Sequence, residues 1–220
     1  NWRTPANLVS KMVPGIRVMT VDHRGHGQSH RLDGENTVAA CARDLEMTIE
    51  SDPNTGEDVD ILCGHSFGGK VVLELLNNRL ESGVPLPEHT WVLDSLPSEY
   101  DDTGVSENTA ESVVSIFGNL RSIKTPFPST DYAVNELMKT GISLPIAQWL
   151  TSNVRPFAEG ANEKELTWGF DLDVATELFE DFVRLDMWDF VRNFDGRGKA
   201  RGGKDAQLHF VRAGRNPLWT

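Results

Sequence analysis

The sequence predicts an α/β fold with a mainly parallel sheet, on three observations. Short apolar runs alternate with amphipathic helical periods from Ile16 to Leu93, the pattern of strands joined by crossover helices. A glycine-flanked turn, Gly64-His65-Ser66-Phe67-Gly68, stands between one of these runs and the helical period that follows it. After Asp94 a long helical stretch intervenes before a last apolar run at Leu208, Phe210 and Val211.

Taken in order, Ile16, Val18, Met19 and Val21 form an apolar run bounded by Pro14-Gly15 and ended by Asp22, which predicts a strand. His23 to Asn36 is polar and glycine-bearing, a loop. Val38, Cys41, Ala42, Leu45 and Ile49 recur at helical spacing, and Asp52 to Gly56 reads as a turn. Val59 to Cys63 predicts a second strand. Val72, Leu75, Leu76 and Leu80 predict a helix beginning just after Gly69, and Thr90 to Leu93 a third strand. From Ser98 to Phe194 the periods are helical with no convincing strand; Val174, Leu178, Phe182 and Leu185 illustrate them. Asp195 to Asp205 is a glycine-rich basic loop, expected to be a solvated excursion. The last strand stops at Ala213-Gly214. The expected organisation is therefore a first part of the core over residues 1–97, a helical cap inserted over 98–194, and a linker loop with a return to a core strand over 195–220.

The 220 residues suit one domain with a sizeable core, and 39% hydrophobic with 25% charged residues is an ordinary globular composition. A net charge of −12 argues against nucleic acid as a partner, because phosphate binding needs a basic patch. No apolar run approaches the length of about 18 residues that would predict a membrane span. The two cysteines, Cys41 and Cys63, fall on apolar patterns and are expected to be buried thiols. With no disulfide framework, an intracellular soluble protein in a reducing compartment is expected. The chain begins at Asn1 with no visible targeting segment, which predicts a truncated N-terminus.

The turn at Ser66 carries the chemistry. It fits G-x-S-x-G, follows a predicted strand at once and opens a predicted helix, the context a nucleophile elbow requires. There the serine sits on a sharp strand-to-helix turn that lifts its hydroxyl off the sheet. Gly64 and Gly68 are expected to avoid collisions where strand and helix pass closely. The Phe67 N–H, at the helix start, points where an oxyanion would form. The plainer alternative is that Ser66 is only a helix N-cap. His23, His26 and His30 share one short loop, but without a carboxylate or rigid helical spacing they make a poor metal site, and no metal or other cofactor is called for.

The loop Asp22-His23-Arg24-Gly25-His26-Gly27-Gln28-Ser29, one strand ahead of the elbow, resembles the D-x-R-G-x-G-x-S loop of the α/β-hydrolase superfamily. The resemblance extends to a branch holding small bacterial acyl esterases and mitochondrial "abhydrolase domain eleven" type proteins. It rests on Asn1-Trp2, on the elbow continued through Gly69 and Lys70, on Val92-Leu93-Asp94 with Pro97, and on two landmarks of the cap. These are Gln148-Trp149-Leu150-Thr151-Ser152-Asn153 and Trp168-Gly169-Phe170-Asp171-Leu172.

The resemblance implies an α/β-hydrolase fold and a serine hydrolase that attacks a carboxylic ester with Ser66, forms an acyl-enzyme and needs no cofactor. Phe67 N–H would be one oxyanion donor; the loop bearing the other would precede Asn1, so the sheet is expected to lack its earliest strands. The usual acid follows the last strand, where Arg215, Asn216, Pro217 and Leu218 offer none. Asp94, at the end of the strand after the elbow helix, occupies the alternative place; the competing reading is that it caps the next turn. The catalytic histidine is expected beyond Thr220, since His23, His26, His30, His65, His89 and His209 fall in other positions. The chain is thus expected to be truncated at both ends. Phe117, Phe127, Trp149 and Phe157 would line the cap side, or else form its core. Thioesterase, lipase or amidase action on the same elbow, and a non-catalytic protein binding a ligand or partner, are the alternatives. The expected compartment is mitochondrion or cytoplasm, the mitochondrion being implied by the resemblance alone.

Overall fold

The computed structural model describes residues 2–29, 32–53, 59–100, 113–157, 165–194 and 198–214. The core is a parallel three-stranded sheet, order β1-β2-β5, from β1 (Ile61–His65), β2 (His89–Leu93) and β5 (Gln207–Val211). The register aligns Ile61 with His89 and His89 with Gln207, so all three strands end at one edge. Two helices cover one face. Helix α3 (Phe67–Ser82) lies on β1 and β2, and α2 (Val38–Ser51) packs against α3. The start of α2 is set by Thr37, whose side chain accepts the Ala40 N–H at 3.1 Å, while α3 ends on Gly83 at φ 71. Helix α1 (Arg3–Met12) precedes them and buries none of its residues.

Strand alternation sends Leu62, Gly64, Thr90 and Val92 into the covered face, where they are buried. The opposite face holds Ile61, Cys63, Trp91 and Val211, all exposed. This corrects the expectation that both cysteines are buried: Cys41 lies inside α2, its thiol pushed up to about 12 by burial, but Cys63 points out of the uncovered face. An apolar run reads as buried on both sides only when both sides are covered.

The predicted strand at 16–21 is also corrected: it has no ladder pairing among the described residues. A strand exists through its neighbour, and β1 pairs with β2 alone among the described strands. The elbow helix begins at Phe67 rather than after Gly69.

Beyond the sheet come α4 (Val113–Ser122), α5 (Thr130–Lys139), α6 (Leu144–Thr151), β3 (Val154–Pro156), β4 (Leu166–Trp168), α7 (Leu172–Arg184) and α8 (Trp188–Asn193). The antiparallel pair β3–β4 corrects the expectation of no strand here; at three residues per strand, alternation leaves no readable period. Two separate clusters form. One joins α2, α3 and the sheet to Leu178, Phe182, Met187 and Phe194. The other gathers Leu120, Ile123, Phe127, Leu137, Ile142, Leu150 and Trp168. No described helix is long and apolar enough to cross a membrane.

Candidate active site

Ser66 stands between the last residue of β1 and the first of α3, at φ 52 and ψ −119. A non-glycine residue at positive φ is strained, and such strain persists only where the surroundings dictate it. The surroundings here are backbone. A Cβ on Gly64 would lie 2.0 Å from the Gly68 carbonyl oxygen, and one on Gly69 would lie 2.4 Å from the Ser95 Cβ. Gly68 itself has room, its nearest neighbour being the His23 Nε2 at 3.9 Å. The close approach thus requires glycine at 64 and 69, which corrects the role expected of Gly68.

The Ser66 N–H donates to the Leu93 carbonyl at 3.0 Å, and its own carbonyl accepts from Gly69 N–H at 2.8 Å to open the helix. Phe67 N–H is the first in α3 and has no carbonyl one turn back to bond, so it sits at the positive end of the helix as a ready anion donor. Ser66 makes no side-chain cap bond to the helix, which removes the support for the N-cap reading.

Asp94 occupies the same position on the neighbouring strand, because His65 pairs with Leu93. It too has positive φ, 46. Its N–H donates to the Val211 carbonyl at 2.6 Å, and its carboxylate oxygen Oδ1 accepts Ala213 N–H at 3.1 Å. The half-buried carboxylate therefore holds the chain as it leaves β5 while lying beside the elbow. Arg215 to Leu218, His30, Asn1 and the loop residues 195–197 lie outside the described residues.

The other histidines divide by location. His23 sets its ring edge on Phe67, centroids 5.3 Å apart, and burial, then the neighbouring His26, pushes it down to about 4, so it is neutral at pH 7. His26 stacks on Phe170 at 5.7 Å, and its loop is bonded to the chain entering α7: Gly27 N–H to the Gly169 carbonyl and Asp171 N–H to the Gly25 carbonyl. Arg24, buried, grips Asp44 of α2 through two bonds of 2.8 Å. The loop 22–29 thus splices α2 to the chain entering α7. His65 is exposed. His89 and His209 meet at 3.1 Å on the uncovered sheet face, with Trp91 stacked on His209. Among the described residues no histidine is hydrogen-bonded to Ser66.

The aromatics expected at the cap lining separate too. Phe127, 1% exposed, packs on Trp168 inside the second cluster, while Trp149 is 62% exposed and Phe157 is exposed. Phe117 faces Phe179 of α7. The aromatic that reaches the elbow is one the sequence reading placed only on a helical period: Phe182 of α7, 5.7 Å from the Phe67 ring. A groove of about 590 Å³ between α5 and α6, lined by Val134, Leu144 and Gln148 among others, contains no elbow residue.

Comparison with known proteins gives a consistent result. The family model described as "Alpha/beta hydrolase family" matches residues 1–215. Among solved structures, a marine microorganism esterase is similar at TM-score 0.65 and 22% identity, over 83% of this chain and 64% of that one. A hypothetical protein from Pseudomonas aeruginosa PAO1 is similar at TM-score 0.50 and 22% identity, over 88% of this chain and 62% of that one. The chain thus spans less than two thirds of the length of either structure. No curated protein matches it.

Proposed function

This chain belongs to the alpha/beta hydrolase family, and from that premise we propose that it works as a serine hydrolase on carboxylic esters through an acyl-enzyme. The observation that carries the reading is Ser66, held at φ 52 on the turn from β1 into α3 with Phe67 N–H beside it. Its Oγ attacks the ester carbonyl. The proton passes to a general base, which in this superfamily is a histidine held by the acid; Asp94, at the end of the adjacent strand, is the acid we assign. The negative oxygen of the tetrahedral intermediate lies against Phe67 N–H and the α3 terminus. The alcohol leaves, and water then attacks the acyl ester on Ser66 to release the acid and restore the hydroxyl.

The test is labelling by a fluorophosphonate probe with the modified peptide mapped by mass spectrometry, alongside turnover of p-nitrophenyl acyl esters. The expected label sits on Ser66 and disappears in Ser66→Ala, with turnover falling about a thousandfold or more. Equal labelling or turnover in the variant would sink the proposal. A panel of thioesters, lipid esters and amides separates the related chemistries, which share this elbow. One observation favours the second reading, a non-catalytic binding protein: the Asp94 carboxylate already serves Ala213 N–H. On that reading Asp94→Asn leaves all function in place.

A further inference from the structure

Lys70 lies in the first turn of α3, four positions after Ser66, and is 0% exposed. An ammonium has three protons to donate, and each one is used on a carbonyl: Ser98 at 2.8 Å, Phe182 at 2.7 Å and Leu185 at 2.5 Å. These acceptors come from two places where the chain crosses between the sheet and the helices beyond it. Ser98 lies just after β2, on the way out. Phe182 and Leu185 belong to the C-terminal turn of α7 and its cap, on the way back.

The same two segments are joined by backbone bonds, Tyr100 N–H to the Val183 carbonyl and Met187 N–H to the Pro97 carbonyl, both 2.7 Å. Carbonyls at a helix C-terminus have no partners within the helix, and a cation there also meets the negative end of the helix dipole. The rings of Tyr100 and Phe182 close over the ammonium at 5.1 and 4.6 Å.

We propose that Lys70 is a positioning residue: its ammonium fastens the outgoing crossing and the end of α7 to the elbow helix, and so fixes Phe182 against Phe67 beside the nucleophile. The consequence for chemistry rests on the reading of Ser66 as that nucleophile. The link is direct, since Phe182 contacts Tyr100 at 4.9 Å and Phe67 at 5.7 Å, and Phe67 supplies the oxyanion N–H. The groups facing the ammonium are Asp181 and Asp186 from the α7 end and Glu99 and the Tyr100 phenol from the crossing. Burial pushes Lys70 down to about 8, so it keeps its three donors at neutral pH and loses one as the amine forms.

The experiment is hydrogen exchange by mass spectrometry on the whole chain, wild type against Lys70→Met, with Ser66 labelling rates measured in parallel. Methionine fills the space without the donors. Exchange at 98–100 and 183–187 is expected to rise tenfold or more, since the variant leaves three carbonyls without their donor and one such loss is already worth about tenfold. Amides of β1 and of α3 beyond residue 71 should keep their protection, while the labelling rate of Ser66 falls about tenfold. A uniform rise along the chain, or none at 98–100 and 183–187, would overturn the proposal. Should Lys70→Met not fold, the wild type decides: the opening of these same amides, corrected for intrinsic exchange, should grow between pH 7 and 9 about the value of 8, and a flat profile refutes the fastening. If wild-type Ser66 takes no label, the hydrolase reading fails by itself, and the exchange data still judge Lys70.

Discussion

Ser66 and Asp94 end neighbouring strands at the same register and share a backbone conformation that side-chain-bearing residues avoid, φ 52 and φ 46. The two corners are held by different means. At Ser66 the chain is forced round by crowding, with Gly64 under the Gly68 carbonyl and Gly69 against Ser95, and the serine side chain takes no part in capping the helix. Both corners bond the next strand through N–H, Ser66 to Leu93 and Asp94 to Val211, but at Asp94 the carboxylate also takes the Ala213 N–H, just past β5. A corner made by sterics leaves its side chain available for chemistry; a corner made by hydrogen bonds employs its side chain in the structure. The difference teaches that equal strain does not mean equal readiness: the Asp94 carboxylate already does structural work.

Substitutions can break or sharpen that contrast. The largest effect is expected from Asp94→Asn. The amide oxygen can still accept Ala213 N–H, so the unfolding free energy should change by less than about 1 kcal/mol, while a triad acid's loss of charge drops kcat on the order of ten-thousandfold. Ester turnover and chemical denaturation, measured on one preparation, separate the two roles. Gly64→Ala comes next. Its methyl meets backbone rather than a movable side chain, and a cost of about 3 kcal/mol is expected from urea unfolding, with Ser66 labelling lost as the turn opens.

Acid sensitivity at His23, packed edge-on to Phe67, should be smaller. Its folded-state value is near 4 against 6.5 for a free histidine. The unfolded chain therefore binds a proton between those values that the folded chain refuses, so stability falls as pH drops from 6.5 towards 4 and is whole above 6.5. By pH 5 the loss should be on the order of 2 kcal/mol, and His23→Gln should flatten that limb of the stability profile. The smallest effect separates the corners themselves. Ser66→Gly relieves positive φ without losing a side-chain bond and should stabilise by about 1 kcal/mol, whereas Asp94→Gly loses its bond to Ala213 and should not. Equal thermal shifts for the two would remove the distinction.

The elbow was legible in the sequence because, apart from the crowding of Gly69 by Ser95, which was not readable, its main signals are local: an apolar run, Gly64 and a helical period within Val59 to Leu80. The same holds for α2, β2 and β5. What escaped the sequence depends on partners far along the chain. The apolar run at 16–21 has strand composition but no described neighbour to pair with. Cys63 looked interior because its run is apolar, yet burial was decided by which sheet face the helices cover. Nothing around Lys70 in the sequence tells of its burial; Phe182 and Leu185, more than a hundred positions away, bring it carbonyls. Asp94 was legible as a strand end beside the elbow, but its bond to Ala213 spans a similar distance and was not readable.

The two hydrophobic clusters share no residue among those described: one seats the elbow, the other runs from Leu120 to Trp168. Substitutions without common partners combine nearly additively. Variation inside the second cluster should therefore add to variation in the first, except where α4 meets α7. Changes inside the second cluster should thus leave the packing of Phe182 on Phe67, which belongs to the first, nearly as it is.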